Sequence, residues 1–201
     1  MELPIVNHPD YVAKINDDNK FPIKKFGALA EHLLKTEVVK KFHIPKECSK
    51  ETLKTSHSLT YINHIRNKTL DIKLQKKIGF PINDSVVRRS FVATGGTVLT
   101  SKLALDSKLA CNTAGGSHHA KFNYGAGYCV FNDVAVAANY LKDKGYAKKI
   151  LILDLDVHQG NGNSEIFQND KDVLTFSMHC ASNYPAKKSE SDIDIELKDH
   201  M

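Results

Sequence analysis

The stretch KKILILDLDVH, at residues 148–158, decides the fold class. Its centre, ILILDLD, is a continuous apolar run that ends in carboxylates, which is typical of a strand buried on both faces of a parallel sheet. A helix candidate, VAVAANYLKDKG at 134–145, precedes it, and a shorter one, NSEIFQND at 163–170, separates it from the apolar run DVLTFSMH at 172–179. This alternation predicts an α/β fold with a mainly parallel sheet flanked by helices in three layers.

The amino-terminal half has a different pattern. Apolar residues recur at helical spacing from Ile23 to Val38, from Leu59 to Ile65 and from Val86 to Leu105, and each stretch predicts a packing helix. The segment LACN, at 109–112, is a short strand candidate before a glycine-rich loop. No repeat, low-complexity tract or linker interrupts the chain, so residues 1–201 are expected to form one domain.

The composition excludes several classes of protein. With 201 residues, 41% of them hydrophobic and 25% charged, the chain is typical of a soluble globular domain. No apolar run approaches the roughly 18 residues of a spanning helix, and the start lacks the basic cluster and apolar core of a signal peptide, so an intracellular protein without membrane contact is expected. The four cysteines form no CxxC pair, so any metal should be held by His, Asp or Glu.

The net charge of +5 is unevenly distributed, with Lys and Arg in excess over residues 1–150 and Asp and Glu in excess over residues 151–201. The lysines are scattered through helical patterns and are not interleaved with aromatic residues. They therefore predict solvated helix faces and no direct nucleic-acid binding. The chain has neither a GxGxxG motif nor a P-loop, which argues against a nucleotide site.

Three side chains of ligand type follow the apolar strand. In extended chain Asp154, Asp156 and His158 point to one side, because successive side chains alternate. A lone Asp here would be read as a helix cap. Two carboxylates beside an imidazole repel each other unless a cation neutralises them, and this predicts a metal site. Oxygen and imidazole donors suit Zn²⁺, Fe²⁺, Mn²⁺ or Co²⁺, and the sequence does not choose among these ions.

Paired histidines stand in the glycine-rich loop GGSHHA, at 115–120. The two glycines let the backbone turn sharply and bring both imidazoles toward a neighbouring strand end. His118 and His119 are then candidates for the general base and general acid of a hydrolase. Asp154 is expected to hydrogen-bond one imidazole and fix its tautomer, and Asn161 to accept a hydrogen bond from the other.

Three motifs in this order and spacing resemble the histone deacetylase family of metal-dependent amidohydrolases: GGSHHA at 115–120, GYCVFND at 127–133 and DLDVHQGNG at 154–162. The resemblance extends over nearly the whole chain and implies the three-layer arginase/deacetylase fold. Gln159 and Asn161 stand where most zinc-dependent members carry His and Asp. This substitution resembles the class IV branch and its bacterial relatives.

The resemblance implies roles for individual residues. It makes Asp156 and His158 ligands of a catalytic Zn²⁺, places His118 and His119 beside the attacking water with His119 as the general base, and has Asp154 orient His118.

It also places Asn161 beside His119 in place of an acidic residue, so His119 should be less readily protonated than in the Asp-bearing branches. Gly127 and Tyr128 would line a narrow channel for an acyl-lysine side chain. The resemblance further implies a structural K⁺ held by backbone carbonyls near Asp154, Asp156, His158 and Ser177.

The function expected from this resemblance is metal-dependent hydrolysis of acyl-amide bonds, above all deacetylation of acetyl-lysine in histones or other proteins. A small-molecule amidohydrolase of the same fold, acting on polyamines or linked to acetoin, is one alternative, and a non-catalytic remnant that serves as a binding module is another. The family takes its third metal ligand, an Asp, and its oxyanion-stabilising Tyr from later motifs that this chain lacks. A domain truncated at its carboxyl end, located in the cytoplasm or, in a eukaryote, the nucleus, is therefore expected.

Overall fold

The computed structural model describes residues 3–199. Within them a short 3-10 helix spans Pro9–Tyr11, and the α-helices are α1 Lys25–Lys35, α2 Lys50–Leu53, α3 Leu59–Arg66, α4 Ile72–Ile78, α5 Asp84–Ser107, α6 Asp133–Asp143 and α7 Asn161–Phe167. The strands are β1 Ile5–Val6, β2 Cys111–Asn112, β3 Ile150–Asp154, β4 Val173–Cys180 and β5 Ile193–Leu197.

All strand pairs among the described residues are parallel. β1 pairs with β2, and β3, β4 and β5 form a three-stranded sheet in that order. The register aligns Asp154 with Ser177, so β3 and β4 present their carboxyl ends at the same edge. Parallel strands connected through helices confirm the predicted α/β class, and this edge is where such sheets place their ligands.

The predicted burial of β3 on both faces is wrong. Ile152 is buried, whereas Leu151 and Leu153 are 59% and 56% exposed. The buried face packs against Ala135 and Ala138 of α6 and against Phe167 of α7. Among the described residues, no helix covers the opposite face. The strand therefore has apolar side chains on both faces, but only one face is packed.

The long helices begin and end close to the predicted positions. α1, α3 and α5 lie on the three stretches with helical spacing, and α6 begins after Asn132, whose side chain accepts a hydrogen bond from the Ala135 amide. Gly145, at φ 70°, takes the left-handed conformation shortly after α6 ends. The short helices α2 and α4 were not predicted, because one or two turns carry too few residues to show a period.

The larger core cluster gathers around α5. Val86, Phe91 and Val92 of this helix are buried against residues of α3, of the amino-terminal segment and of the loop before α6. No helix within residues 3–199 has the length and apolar character to cross a membrane. The intracellular location and the extent of the domain stay predictions.

Candidate active site

The loop from β2 to α6 and the segment after β3 meet at the carboxyl edge of the sheet. They bring together the paired histidines and the polar residues that follow β3. His118 and His119 are both buried, and their ring centroids lie 4.1 Å apart.

Asp154 fixes the orientation of His118. The Nδ1 atom of His118 lies 2.6 Å from Asp154 Oδ2, and the same carboxylate accepts hydrogen bonds from the Asp156 amide at 3.1 Å and the Asn163 side chain at 3.3 Å. A carboxylate only accepts, so Nδ1 of His118 carries a proton and donates it to Asp154. The Nε2 atom of His118 is 3.8 Å from Asp156 Oδ1.

His119 is oriented by an amide instead of a carboxylate. Its Nδ1 atom lies 2.8 Å from Asn161 Oδ1. Burial, with the neighbouring His118 as the next cause, lowers the pKa of His119 to about 4, although the bond to Asn161 acts in the opposite direction. His119 is therefore neutral at physiological pH, with a lone pair on Nε2. Its lower protonation relative to the Asp-bearing branches stays a prediction.

Two glycines allow the segment after β3 to approach the histidine loop. The Gly162 amide donates to the His118 carbonyl at 2.8 Å, and a Cβ atom at Gly162 would lie 2.4 Å from the Ala120 carbonyl oxygen. A Cβ atom at Gly160 would lie 2.1 Å from Asp154 Oδ2. Any larger residue at either position would displace the backbone or the carboxylate that orients the histidines.

Asp133 holds the glycine-rich loop in place, a role that the sequence did not reveal. Its buried carboxylate accepts hydrogen bonds from the Ser117 amide at 2.7 Å, from the Gly116 amide at 3.1 Å and from the Thr97 hydroxyl. Because Asn132 caps the helix, Asp133 is free to bind the loop.

His57 supports the other side of the same loop and was also missed. Its Nδ1 atom lies 2.9 Å from the Lys121 carbonyl oxygen, and its Nε2 atom accepts the Asn132 amide at 2.9 Å. A carbonyl can only accept and an amide N–H can only donate, so His57 is neutral with its proton on Nδ1. Burial lowers the pKa of His57 to about 4.

The predicted metal ligands Asp156 and His158 lie beside the paired histidines. β3 ends at Asp154 and the chain then bends, so the expected strict alternation of side chains stops there. Asp156 Oδ1 is nonetheless 3.1 Å from His158 Nδ1, and both side chains are partly exposed. The alternation of side chains also predicts that Asp154 points toward a metal. In the structure its carboxylate accepts a hydrogen bond from His118 instead.

These donors supply part of a metal site. One carboxylate and one imidazole suit Zn²⁺ chemically, but a catalytic zinc site uses three protein ligands. Within residues 3–199 no group of three His, Cys, Asp or Glu side chains converges as a metal ion requires. The described residues therefore fit an incomplete zinc site. The structural K⁺ near Ser177 also stays a prediction.

A cavity of about 650 Å³ opens over the paired histidines, Asp156 and His158. Gly127 and Tyr128, the predicted channel residues, line it together with Tyr184. The Tyr184 ring stands edge-on to His119 at 4.8 Å and to His158 at 6.0 Å between ring centroids. Tyr184 was missed, although its place in the loop after β4, at the same edge of the sheet, is a signal that points to the site.

Fold and site together define a parallel α/β protein whose cavity holds two histidines, each oriented through its Nδ1 atom, an arrangement that acid–base hydrolases use. The chain belongs to the histone deacetylase family: the family model described as Histone deacetylase domain matches residues 20–200.

The chain is similar to several known proteins. An uncharacterised protein of Picosynechococcus sp. is 45% identical over the whole chain, which covers 68% of that protein. The acetoin utilization protein AcuC of Staphylococcus aureus is 29% identical over 83% of the chain, which spans 46% of AcuC. The crystal structure of an HDAC homolog complexed with SAHA superposes with a TM-score of 0.83 at 23% identity, over 98% of this chain and 59% of that one, and shows the same fold.

Proposed function

We propose that this chain carries the catalytic histidines of an enzyme that hydrolyses acyl-amide bonds, with acetyl-lysine in histones or other proteins as the substrate. The observation that carries the proposal is the pair His118 and His119, buried side by side, each oriented through Nδ1 and each lining the cavity. A neutral His119 with a free lone pair on Nε2, beside a second oriented imidazole, is suited to accept a proton from water and to pass it on.

His119 is proposed as the general base. Its Nε2 takes a proton from the attacking water, whose oxygen bonds to the acyl carbon. The C–N bond then breaks, and the proton returns to the leaving lysine amine, so that a carboxylate and an amine are the products. His118, held by Asp154, stabilises the charge that develops beside it, and Asn161 keeps His119 in the productive tautomer.

Asp156 and His158 are proposed as ligands of a divalent metal, Zn²⁺ in the first instance and Fe²⁺ as another ion that these donors suit. When bound, such a metal polarises the acyl carbonyl and acidifies the water. Gly127, Tyr128 and Tyr184 wall the cavity, exclude bulk water and position the aliphatic part of the acyl-lysine side chain.

The direct test replaces His119 by Ala in the full-length protein and measures hydrolysis of an acetyl-lysine peptide. Loss of the base is expected to lower kcat/KM by about 100-fold or more. His32→Ala, on the exposed part of α1, is the matched control and should leave the rate unchanged. Equal rates for the His119→Ala variant and the natural protein would refute the proposal.

A small-molecule amidohydrolase is the second candidate, supported by the relatives named for acetoin utilization. Small acylated amines and an acetyl-lysine peptide, compared at equal concentration on the full-length protein, separate the two. A higher kcat/KM on a small amine would favour this second function. The histidines and their orienting partners would then act on a different amine.

The alternative of a non-catalytic binding module predicts weak metal binding. Asp156 and His158 alone should hold Zn²⁺ far more loosely than a three-ligand site does. Two results together would exclude the binding module: turnover, and stoichiometric zinc in the purified protein. That zinc should be lost in an Asp156→Asn variant and kept in an exposed control such as Asp143→Asn.

A further inference from the structure

The cavity over the paired histidines is strongly cationic. Its lining includes one carboxylate, Asp156, and five cations: Lys20, Lys25, Lys76, Lys77 and Arg89. Among residues 3–199, none of these five cations lies within salt-bridge distance of a carboxylate. A concave surface lined by one sign of charge concentrates ligands of the opposite sign.

Arg89 is the least expected of these cations, because it is only 6% exposed. Its Nε atom donates to the Tyr11 carbonyl at 3.0 Å, and its guanidinium makes no other hydrogen bond within residues 3–199. The nearby carboxylate of Asp133 is already engaged by the Gly116 and Ser117 amides. Buried arginines are normally paired with an anion, and among residues 3–199 Arg89 has no such partner.

Lys25 stands beside Arg89 on the same two aromatic rings. The guanidinium carbon of Arg89 lies 5.0 Å from the centroid of Phe26 and 5.8 Å from that of Phe21, and Lys25 Nζ lies 5.3 Å and 5.0 Å from these centroids. Two cations gathered on one ring pair repel each other unless an anion binds between them. A carboxylate matches the planar fork of an arginine and accepts from a lysine as well.

This cation pair lies close to the proposed acyl site. The Phe21 ring packs at 5.1 Å from Tyr128, the channel residue, and also contacts Arg89. One aromatic ring therefore separates the channel wall from the guanidinium, within the same cavity. Resting on the proposed function, we infer that the acyl group of the substrate ends in a carboxylate held by Arg89 and Lys25, as in lysine acylated with a dicarboxylic acid such as succinate.

Binding to the full chain tests the inference without requiring turnover. Fluorescence anisotropy compares a labelled peptide carrying succinyl-lysine with the same peptide carrying butyryl-lysine, which has the same number of acyl carbons and no charge. The succinyl peptide is expected to bind at least about tenfold more tightly. Arg89→Met and Lys25→Met should each remove most of this preference.

Matched controls come from the neighbouring positions. Arg88, which pairs with Asp10 and Glu47, and Lys24, which pairs with Asp17, do not line the cavity, so Arg88→Met and Lys24→Met should keep the preference. Lys25 is exposed, and its variant therefore keeps the test valid even if Arg89→Met fails to fold.

Equal affinity for the two peptides would overturn the inference. If, in addition, free acetate and free succinate displaced the peptides equally well, the cations would bind anions in general and would not recognise the acyl group. Failure of the full-length protein to hydrolyse any acyl peptide would count against the proposed function alone. A preference for the succinyl peptide that depends on Arg89 would still support the carboxylate site.

Discussion

Asn132 and Asp133 are adjacent in the chain and have different functions. Asn132 caps α6, whereas the buried carboxylate of Asp133 binds the backbone of the loop that carries the histidines. Because an amide cannot satisfy two backbone donors as a carboxylate does, Asp133→Asn is expected to lower the free energy of unfolding by about 1–3 kcal/mol. Urea denaturation measures the change, with the exposed Asp143→Asn on the same helix as control. Equal losses in the two variants would contradict this role.

His57 is expected to make stability depend on pH. Burial places its folded pKa at about 4, below its ordinary value of 6.5. Between these values the unfolded chain binds a proton that the folded chain does not, so the free energy of unfolding falls as the pH falls, by about 3 kcal/mol at most. Above pH 6.5 His57 contributes no pH dependence.

The variant His57→Gln should therefore flatten the pH dependence of unfolding between pH 6.5 and pH 4, whatever its effect on absolute stability. His119 titrates in the same window and is present in both proteins, so its contribution cancels in the comparison. Chemical denaturation at several pH values gives the slope. An unchanged slope would show that His57 is protonated in the folded chain.

Helix α7 can approach the histidine loop only because Gly162 has no side chain. A Cβ atom there would meet the carbonyls of His118 and Ala120 at 2.5 Å and 2.4 Å. Gly162→Ala is therefore expected to cost about 1–3 kcal/mol and to disturb both imidazoles, despite the higher helix propensity of Ala. Gly27→Ala in α1, where a Cβ atom meets only the Val12 side chain at 3.2 Å, is the matched control and should be neutral or stabilising. Thermal unfolding compares the two variants.

Among the elements, length decides what the sequence can predict. α5 and α6 have enough turns for the helical period to appear, and β4 is a long apolar run. α2 and α4 have one or two turns, and β1 has two residues whose pairing partner lies more than a hundred positions away in the chain. Such short elements are fixed by neighbours that a local pattern does not contain.

At the scale of the molecule, one face of the three-stranded sheet is apolar and open. Leu151, Leu153, Leu174 and Ile193 are each more than 40% exposed. A contiguous apolar patch of this kind binds dyes and promotes association. The chain is therefore expected to bind 1-anilinonaphthalene-8-sulfonate under native conditions, and fluorescence titration measures this binding.

The double variant Leu151→Glu with Leu153→Glu should bind less of the dye, because both side chains lie on that face. Leu105→Glu, at a partly exposed position on α5, is the control and should bind as much as the natural chain. Dye fluorescence no higher than that of a folded protein without such a patch would contradict the expectation.

The sequence by itself determined the α/β class, the long helices and the identity of the chemical groups, because periodicity and motif spacing are local properties. It located His118, His119, Asp154 and Asn161 without their geometry. Folding decided which groups meet: Asp154 orients His118 and leaves Asp156 beside His158, and Tyr184 lines the cavity against His119. Folding also buries Arg89 with no carboxylate partner among residues 3–199. These contacts join residues far apart in the chain, and only packing fixes the distances between them.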